Sequence, residues 1–226
     1  MAELVLALDL PDRGAALRLL DRIPTVRWVK VGAVLFTQSG PGLIADLRNR
    51  GHRVFLDLKW HDIPNTVGGA VQQARGLGVD MVTVHALGGS AMIEAAKTAA
   101  GPAIAVIAVT VLTSHDQDEF RSILGRTVLE VGTEVERLAR MAVPAGADGV
   151  VSSPLEVARL RTALGPDVLL ITPGIRRVSD PKGDQHRTAT AQAAARAGST
   201  HLVVGRPVLE AGNPAGVWAQ FLEEIG

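Results

Sequence analysis

The chain has 226 residues, 47% of them hydrophobic, and its 23 basic and 23 acidic residues give a formal net charge of zero. Such a chain is long enough for one large domain with a substantial core, and without cysteine it can form no disulfide, thiolate metal site or cysteine nucleophile. Because it has no basic patch for nucleic acid, no apolar run of ~20 residues for a membrane span and no signal-peptide start, we expect a cytoplasmic protein.

Short apolar runs alternate with helical stretches along the whole chain. The runs predict strands over Leu4–Leu8, Trp28–Val34, Arg53–Leu58, Met81–Val84, Ile104–Val111, Gly149–Val151, Val168–Ile171 and His201–Val204. The periodicity predicts helices over Gly14–Arg22, Gly42–Arg50, Val67–Gly76, Ala91–Ala100, Val131–Pro144 and Pro154–Leu164. Eight alternating units predict an α/β fold, a (β/α)8 or TIM barrel, forming a single domain over residues 1–226.

Charged residues stand at the ends of the first three predicted strands. Alternation in the third strand puts Asp57, Lys59 and His61 on the face opposite its apolar residues. The apolar face must pack against helices, so we expect Asp57 and Lys59 to point into the barrel mouth, whereas we expect His61 to position the loop rather than take part in chemistry. Lys30 also needs an inward face, and Asp9 ends the neighbouring strand. The alternative is a structural ion network, but buried ion pairs stabilise poorly, and a cluster at the catalytic end of a barrel favours function.

Lysine is rare in this sequence. The chain has only four lysines, at positions 30, 59, 97 and 182, among its 23 basic residues. Because arginine is the usual basic residue of this chain, a lysine indicates a position that needs a compact ammonium group able to titrate. This bias supports a functional role for Lys30 and Lys59.

The turns after strands seven and eight predict a phosphate site. Barrels often bind phosphate at these two turns, which here contain Gly174 with Arg176 and Gly205 with Arg206. A glycine lets the backbone approach an anion, and an arginine supplies a forked donor. Each turn alone could also be an ordinary glycine turn with a surface arginine.

The sequence shows no residue spacing typical of a metal site, and we predict no bound metal. His85 is either a core histidine or a site residue.

The segment from Asp57 to Thr66, DLKWHDIPNT, resembles the signature of the orotidine 5'-phosphate decarboxylase family. Further matching segments follow in the family's order: LALD at 6–9, KVG at 30–32, TVLTS at 110–114, PGIR at 173–176, GDQ at 183–185 and VGRP at 204–207. Trp60 stands where many relatives have Phe. The resemblance covers the whole chain and implies cofactor-independent decarboxylation of orotidine 5'-phosphate to uridine 5'-phosphate, the last step of de novo pyrimidine nucleotide synthesis.

The resemblance also implies roles for individual residues. Lys59 corresponds to the proton donor to C6 of the pyrimidine, and Asp57 to the carboxylate beside the departing CO2. Lys30 and Asp9 correspond to residues that hold the ribose and the charge network.

The remaining binding residues follow from the same resemblance. Thr113 corresponds to a pyrimidine contact, and Gln185 to a residue that bridges base and phosphate. Arg176 lies on the same loop as Gln185, and Gly205 and Arg206 correspond to the phosphate-binding pair.

The resemblance further implies a homodimer. Asp62 and Thr66 correspond to residues that reach into the neighbouring subunit's site, Asp62 as part of its catalytic group.

The nearest rival function is that of a metal-dependent sugar-phosphate decarboxylase or synthase on a similar barrel. Such enzymes share an Asp-x-Lys-x-x-Asp pattern but have an acidic residue near the position of Lys30. A rival of another class is a non-catalytic protein that binds a phosphate ligand.

Overall fold

The computed structural model describes residues 2–127, 130–177, 180 and 187–226, and its strands form a closed parallel barrel. The strands are β1 Glu3–Ala7, β2 Trp28–Gly32, β3 Arg53–Trp60, β4 Met81–His85, β5 Ala105–Val109, β6 Gly149–Val151, β7 Leu169–Thr172 and β8 His201–Val204. Each strand pairs in parallel with the next along the chain, and β8 pairs with β1. The predicted (β/α)8 barrel is therefore confirmed.

Helices connect the strands and surround the barrel. They are α1 Arg13–Arg22, α2 Ala33–Ser39, α3 Pro41–Asn49, α4 Pro64–Gly76, α5 Gly89–Ala100, α6 Gln117–Leu124, α7 Val131–Ala142, α8 Val157–Leu164, α9 Ala191–Ala197, α10 Arg206–Leu209 and α11 Pro214–Ile225. The predicted helices are present, with ends shifted by a few residues. Among the described residues, no helix combines the length and the apolar character needed to cross a lipid bilayer.

The second predicted strand extends too far along the chain. The strand expected over Trp28–Val34 ends at Gly32, and the apolar residues that follow begin α2, because an apolar run alone does not distinguish a strand from a helix. Helix α6, for which the sequence analysis predicts no element, is capped at its N-terminus by the Asp116 carboxylate.

The buried apolar residues in the described part of the chain form two cores. The larger core fills the space between the barrel and the helices, and the outward-facing Val54 and Leu56 of β3 belong to it. The smaller core fills the barrel interior with Val5, Ala7, Trp28, Phe55, Met81, Ile107, Ile171 and Val203. This division confirms that the apolar face of β3 packs against the helices, which leaves its alternate residues for the barrel interior.

A polar residue immediately precedes each of the strands β4, β6 and β8. These residues are Asp80, Asp148 and Thr200, and their side-chain oxygens accept the backbone N–H groups of Val54, Val106 and Leu170 at 2.8, 2.8 and 2.9 Å. Each bond joins an even-numbered strand to the odd-numbered strand before it. These three hydrogen bonds fix how far the two strands of each pair are shifted relative to each other along the barrel axis. They therefore also fix the positions of the residues at the carboxyl ends of these strands.

Candidate active site

A cavity of about 490 Å³ opens at the carboxyl ends of the strands. Its floor is apolar and includes Ala7, Phe55, Ile171 and Val203 from the inner core. The cavity is also lined by most of the residues that the sequence predicts for the site, namely Asp9, Lys30, Asp57, Lys59, Thr113, Arg176, Gly205 and Arg206. The structure therefore brings residues from six different strand ends around one space.

The charged residues of β1, β2 and β3 form a row of alternating sign. The Lys30 ammonium lies 3.0 Å from Asp9 Oδ1 and 3.5 Å from Asp57 Oδ2. The Lys59 ammonium donates to both carboxylate oxygens of Asp57 at 2.9 Å. Gly32 leaves room for this row, because a Cβ atom there would lie 3.3 Å from the Lys30 ammonium and 3.4 Å from Asp9 Oδ1.

Burial and charge act in opposite directions on the two central residues of the row. Burial raises the pKa of Asp57, but the neighbouring Lys30 and Lys59 ammonium groups outweigh it, so the pKa lies below its ordinary value. Burial lowers the pKa of Lys30, but the Asp57 and Asp9 carboxylates raise it above its ordinary value. Both groups are therefore held in their charged forms.

Lys59 occupies a left-handed backbone conformation, with φ of 51°. The pairing of β3 with β4 is irregular between Leu56 and Trp60, and the Lys59 amide donates to Thr83 Oγ1 at 2.8 Å. The Thr83 hydroxyl in turn donates to Asp57 Oδ1 at 3.0 Å. Thr83 thus fixes both partners of the pair. The sequence analysis did not assign it a role, and its inward position on the strand beside β3 was the available signal.

His61 does not follow the predicted alternation. The turn at Lys59 breaks the period of two, so His61 is exposed, does not line the cavity and stacks on His85 with 5.4 Å between ring centroids. His85 Nδ1 accepts the Leu87 amide at 3.3 Å, and burial lowers the pKa of His85 to about 4. This arrangement favours the structural alternative for His85.

The β7 and β8 ends supply the other wall of the cavity. Gly174 has a φ of 82°, which suits glycine. Arg176 is buried and donates to the Ile175 carbonyl at 2.8 Å. Gly205 directly precedes α10, which starts at Arg206. Gln185, which the sequence also predicts for this site, lies outside the described residues.

Asp62 and Thr66 do not line the cavity of their own chain. Both are exposed, and Asp62 Oδ1 accepts the Ile63 amide at 2.6 Å. The apolar Ile63 and Val34 beside this mouth are 65% and 73% exposed. Their exposure is compatible with a partner surface, and the two polar residues do not reach the site within one subunit.

The lysines separate into different environments. Lys97 pairs with Asp148 at 2.7 Å, at the end of the barrel opposite the cavity, and Lys182 lies outside the described residues.

In the described part of the chain, no group of three or more histidine or acidic side chains is arranged to hold a metal ion.

Comparison with known proteins identifies the family. Residues 2–221 match the family described as Orotidine 5'-phosphate decarboxylase / HUMPS family. The orotidine 5'-phosphate decarboxylase of Moorella thermoacetica is 44% identical over 232 residues, covering 99% of this chain and 92% of the relative. That of Shewanella sediminis is 48% identical over 216 residues, covering 93% and 92%. The crystal structure of orotidine 5'-phosphate decarboxylase from Lactobacillus acidophilus matches all of both chains with a TM-score of 0.89 at 38% identity. The chain belongs to the orotidine 5'-phosphate decarboxylase / HUMPS family.

Proposed function

We propose that this protein is a carboxy-lyase that converts orotidine 5'-phosphate to uridine 5'-phosphate and CO2 without a cofactor. The observation that carries the proposal is the contiguous row of alternating charges from Asp9 to Lys59 along one wall of the cavity. Family membership and the names of the bacterial relatives support decarboxylation. The reaction would complete de novo pyrimidine nucleotide synthesis. Because phosphorylated nucleotides do not cross membranes unaided, we place it in the cytoplasm.

Lys59 is the proposed general acid. Loss of CO2 from C6 leaves an electron pair in the plane of the pyrimidine, where the ring π system cannot spread it. A fixed ammonium group stabilises this charge electrostatically, and Lys59 then transfers a proton to C6 and regains one from water. The ion pair with Asp57 supports the role, because it fixes the position of the ammonium group.

Asp57 is the proposed neighbour of the departing carboxylate. Its lowered pKa keeps it ionised. Two actions are open to it: it repels the substrate carboxylate until CO2 leaves, or it acts mainly by orienting Lys59. Lys30 and Asp9 extend the row and are the proposed partners of the ribose hydroxyls. Thr113, across the cavity, is the proposed pyrimidine contact.

The β7 and β8 ends form the proposed phosphate site. Arg176 and Arg206 line the cavity together with Gly174 and Gly205, and a guanidinium group recognises phosphate through paired hydrogen bonds. Gln185 is the proposed bridge between base and phosphate. The phosphate does not react, but its binding energy can stabilise the transition state of the reaction at C6.

We further propose a homodimer in which Asp62 and Thr66 complete the neighbouring site. The six consecutive residues His61–Thr66 are all exposed, and they include the apolar Ile63. A partner surface that covers Ile63 and Val34 would remove large apolar side chains from water.

The proposal is tested by mixing the purified protein with orotidine 5'-phosphate in the presence of EDTA and following the loss of the orotate absorbance. We expect turnover without added metal. Activity only after addition of Mg²⁺ would favour the rival function, a metal-dependent sugar-phosphate decarboxylase or synthase. Tight binding without turnover would make it a phosphate-ligand binding protein.

Two variants assign the roles. Lys59→Ala should lose most decarboxylation while remaining folded, whereas Lys97→Ala, at the opposite end of the barrel, should keep its turnover. Arg206→Ala should raise KM for orotidine 5'-phosphate and leave the reaction of phosphate-free orotidine unchanged. Equal losses with both substrates would argue against a phosphate role for Arg206.

A further inference from the structure

Arg187 joins three chain segments beside the cavity. It lies in the connection between β7 and α9, and its side chain is 12% exposed. One guanidinium nitrogen lies 2.8 Å from Glu156 Oε1, in the connection after β6. A second guanidinium nitrogen donates at 3.1 Å to the carbonyl of Leu112, in the connection after β5. None of these residues has a role in the chemistry proposed above.

The acidic partner of Arg187 is itself held in place. The Glu156 side chain is 9% exposed, and its second carboxylate oxygen accepts a hydrogen bond from the buried Ser153 hydroxyl. Both oxygens of the carboxylate are therefore engaged. A buried pair of this kind stabilises a fold no better than apolar packing, which favours a role in geometry over one in stability alone.

The contacts of Arg187 reach both binding regions of the cavity. Leu112, whose carbonyl it binds, lines the cavity and directly precedes Thr113. Two residues after Arg187, Ala189 accepts the Arg176 amide at 3.0 Å and donates to the Gly174 carbonyl at 3.3 Å. Arg187 thus connects the proposed pyrimidine contact on one side with the proposed phosphate site on the other.

We propose that Arg187 is a positioning residue that fixes the distance between these two regions, an inference that rests on the proposed function. A substrate with a phosphate at one end and a pyrimidine at the other gains from the phosphate only if both ends are held at a fixed separation. The Arg187–Glu156 pair supplies that separation, since it ties the turn at Leu112 to the base of the connection that carries Gly174 and Arg176.

The test compares orotidine 5'-phosphate with phosphate-free orotidine. The measured quantity is the ratio of kcat/KM for the two substrates, which reports how much the phosphate accelerates the reaction. We expect Arg187→Ala and Glu156→Gln each to lower this ratio at least tenfold. The double variant should be no worse than either single one, because the two residues act as one unit. Guanidinium ions should partly restore the ratio in Arg187→Ala.

A matched control separates positioning from folding. Arg161 also donates to backbone carbonyls, including those of Gly165 and Gly198, but lies away from the cavity. Arg161→Ala should lower the melting temperature and leave the ratio unchanged. An unchanged ratio in Arg187→Ala, or an equal fall in Arg161→Ala, would overturn the inference.

Two outcomes keep the test decisive. If Arg187→Ala does not fold, Glu156→Gln and Arg187→Lys are judged by the same ratio, and an unchanged ratio in both overturns the inference. If the unmodified protein does not decarboxylate orotidine 5'-phosphate, the proposed function itself fails, which is a different result from an unchanged ratio.

Discussion

Lys59 combines a strained backbone with a central place in the charged row. Among the described residues it is the one non-glycine residue with a positive φ. For such a residue the left-handed conformation costs about 1–2 kcal/mol. The hydrogen bond from its amide to Thr83 and the ion pair with Asp57 offset this cost. Strain of this kind is concentrated at functional sites, and here it turns the ammonium group back towards Asp57.

The strain predicts an unusual order of stability. At most positions a protein with glycine is less stable than the same protein with alanine. At position 59, however, glycine can adopt the positive φ without a steric cost. We expect Lys59→Gly to be more stable than Lys59→Ala by about 1 kcal/mol, although both lose the ammonium group. Urea denaturation of the two variants measures the difference. A more stable Lys59→Ala would mean that residue 59 is not held in the left-handed region.

The close approach of Lys30 and Asp9 to Gly32 predicts that a side chain at position 32 would disturb the charged row. Alanine can adopt the backbone of Gly32, with φ of −89° and ψ of 178°, so the fold should tolerate it. Its methyl group would displace the Lys30 ammonium from Asp9, and we expect Gly32→Ala to lower kcat/KM about tenfold. The control is Gly76→Ala, since a Cβ atom there meets nothing within 4 Å. Steady-state kinetics of both variants check the prediction, and full activity in Gly32→Ala would contradict it.

His201 predicts the dependence of stability on pH. Its ring is buried in the end of the barrel opposite the cavity, in edge contact with Trp28. Burial lowers its pKa from 6.5 to about 4, although Glu3 acts in the opposite direction. Above pH 6.5 the ring is neutral in both states. As the pH falls to 4 the unfolded chain takes up a proton that the folded chain does not, so stability falls by at most about 3 kcal/mol.

The measurement is the free energy of unfolding between pH 7 and pH 4. His201→Gln should remove part of the decrease, and His85→Gln should remove another part, because burial lowers the pKa of His85 in the same way. A His201→Gln variant with the full decrease would contradict the assignment.

The charged row could be predicted from the sequence because it depends on local patterns. Asp9, Lys30 and Asp57 stand at ends of adjacent strands, and parallel strands bring their carboxyl ends together. Thr83 and Gly32 could not be assigned in the same way, since their effects depend on a hydrogen bond and on a close approach across space. The direction of His61 was missed because alternation holds only while the strand is regular.

At the scale of elements, the strands were easier to predict than the short helices. Each barrel strand is a short apolar run bounded by turn residues, which is a strong local signal. Helices α2, α6 and α9 have only seven or eight residues, which is too short for a clear period of 3.6. The twelve residues of α11 were also left unassigned, although Pro214 at its first turn and the cap at Asn213 are recognisable signals.

The polar residue before β6 gives a prediction about strand pairing. The Asp148 carboxylate binds the Val106 amide at 2.8 Å and the Lys97 ammonium at 2.7 Å. Asp148→Ala leaves both donors without this acceptor, and we expect a loss of about 1–3 kcal/mol. Asp167→Ala, an exposed acid at the same end of the barrel, is the control and should change stability by less than about 0.5 kcal/mol. Thermal unfolding distinguishes the two, and equal stabilities would show that these hydrogen bonds contribute nothing.

At the scale of the whole molecule, the proposed dimer predicts complementation between inactive subunits. If Asp62 acts in the neighbouring site, Lys59→Ala and Asp62→Ala subunits are each inactive alone, but a mixed dimer has one site with both native residues. Equal mixing after dissociation should restore about a quarter of the native activity, since half of the dimers are mixed and each has one complete site. Gel filtration of the mixture confirms the dimer. No recovery on mixing would place Asp62 and Lys59 in the same subunit's chemistry.

The inner core of the barrel also serves as the floor of the cavity. Ile171, Phe55 and Val203 belong to both, so a change that fills the barrel more tightly also raises the surface on which a ligand rests. Selection for heat resistance and selection for turnover therefore act on the same few side chains. Evolution of this protein in a hotter environment would have to strengthen the outer shell of helices, where packing can change without altering the shape that the ligand meets.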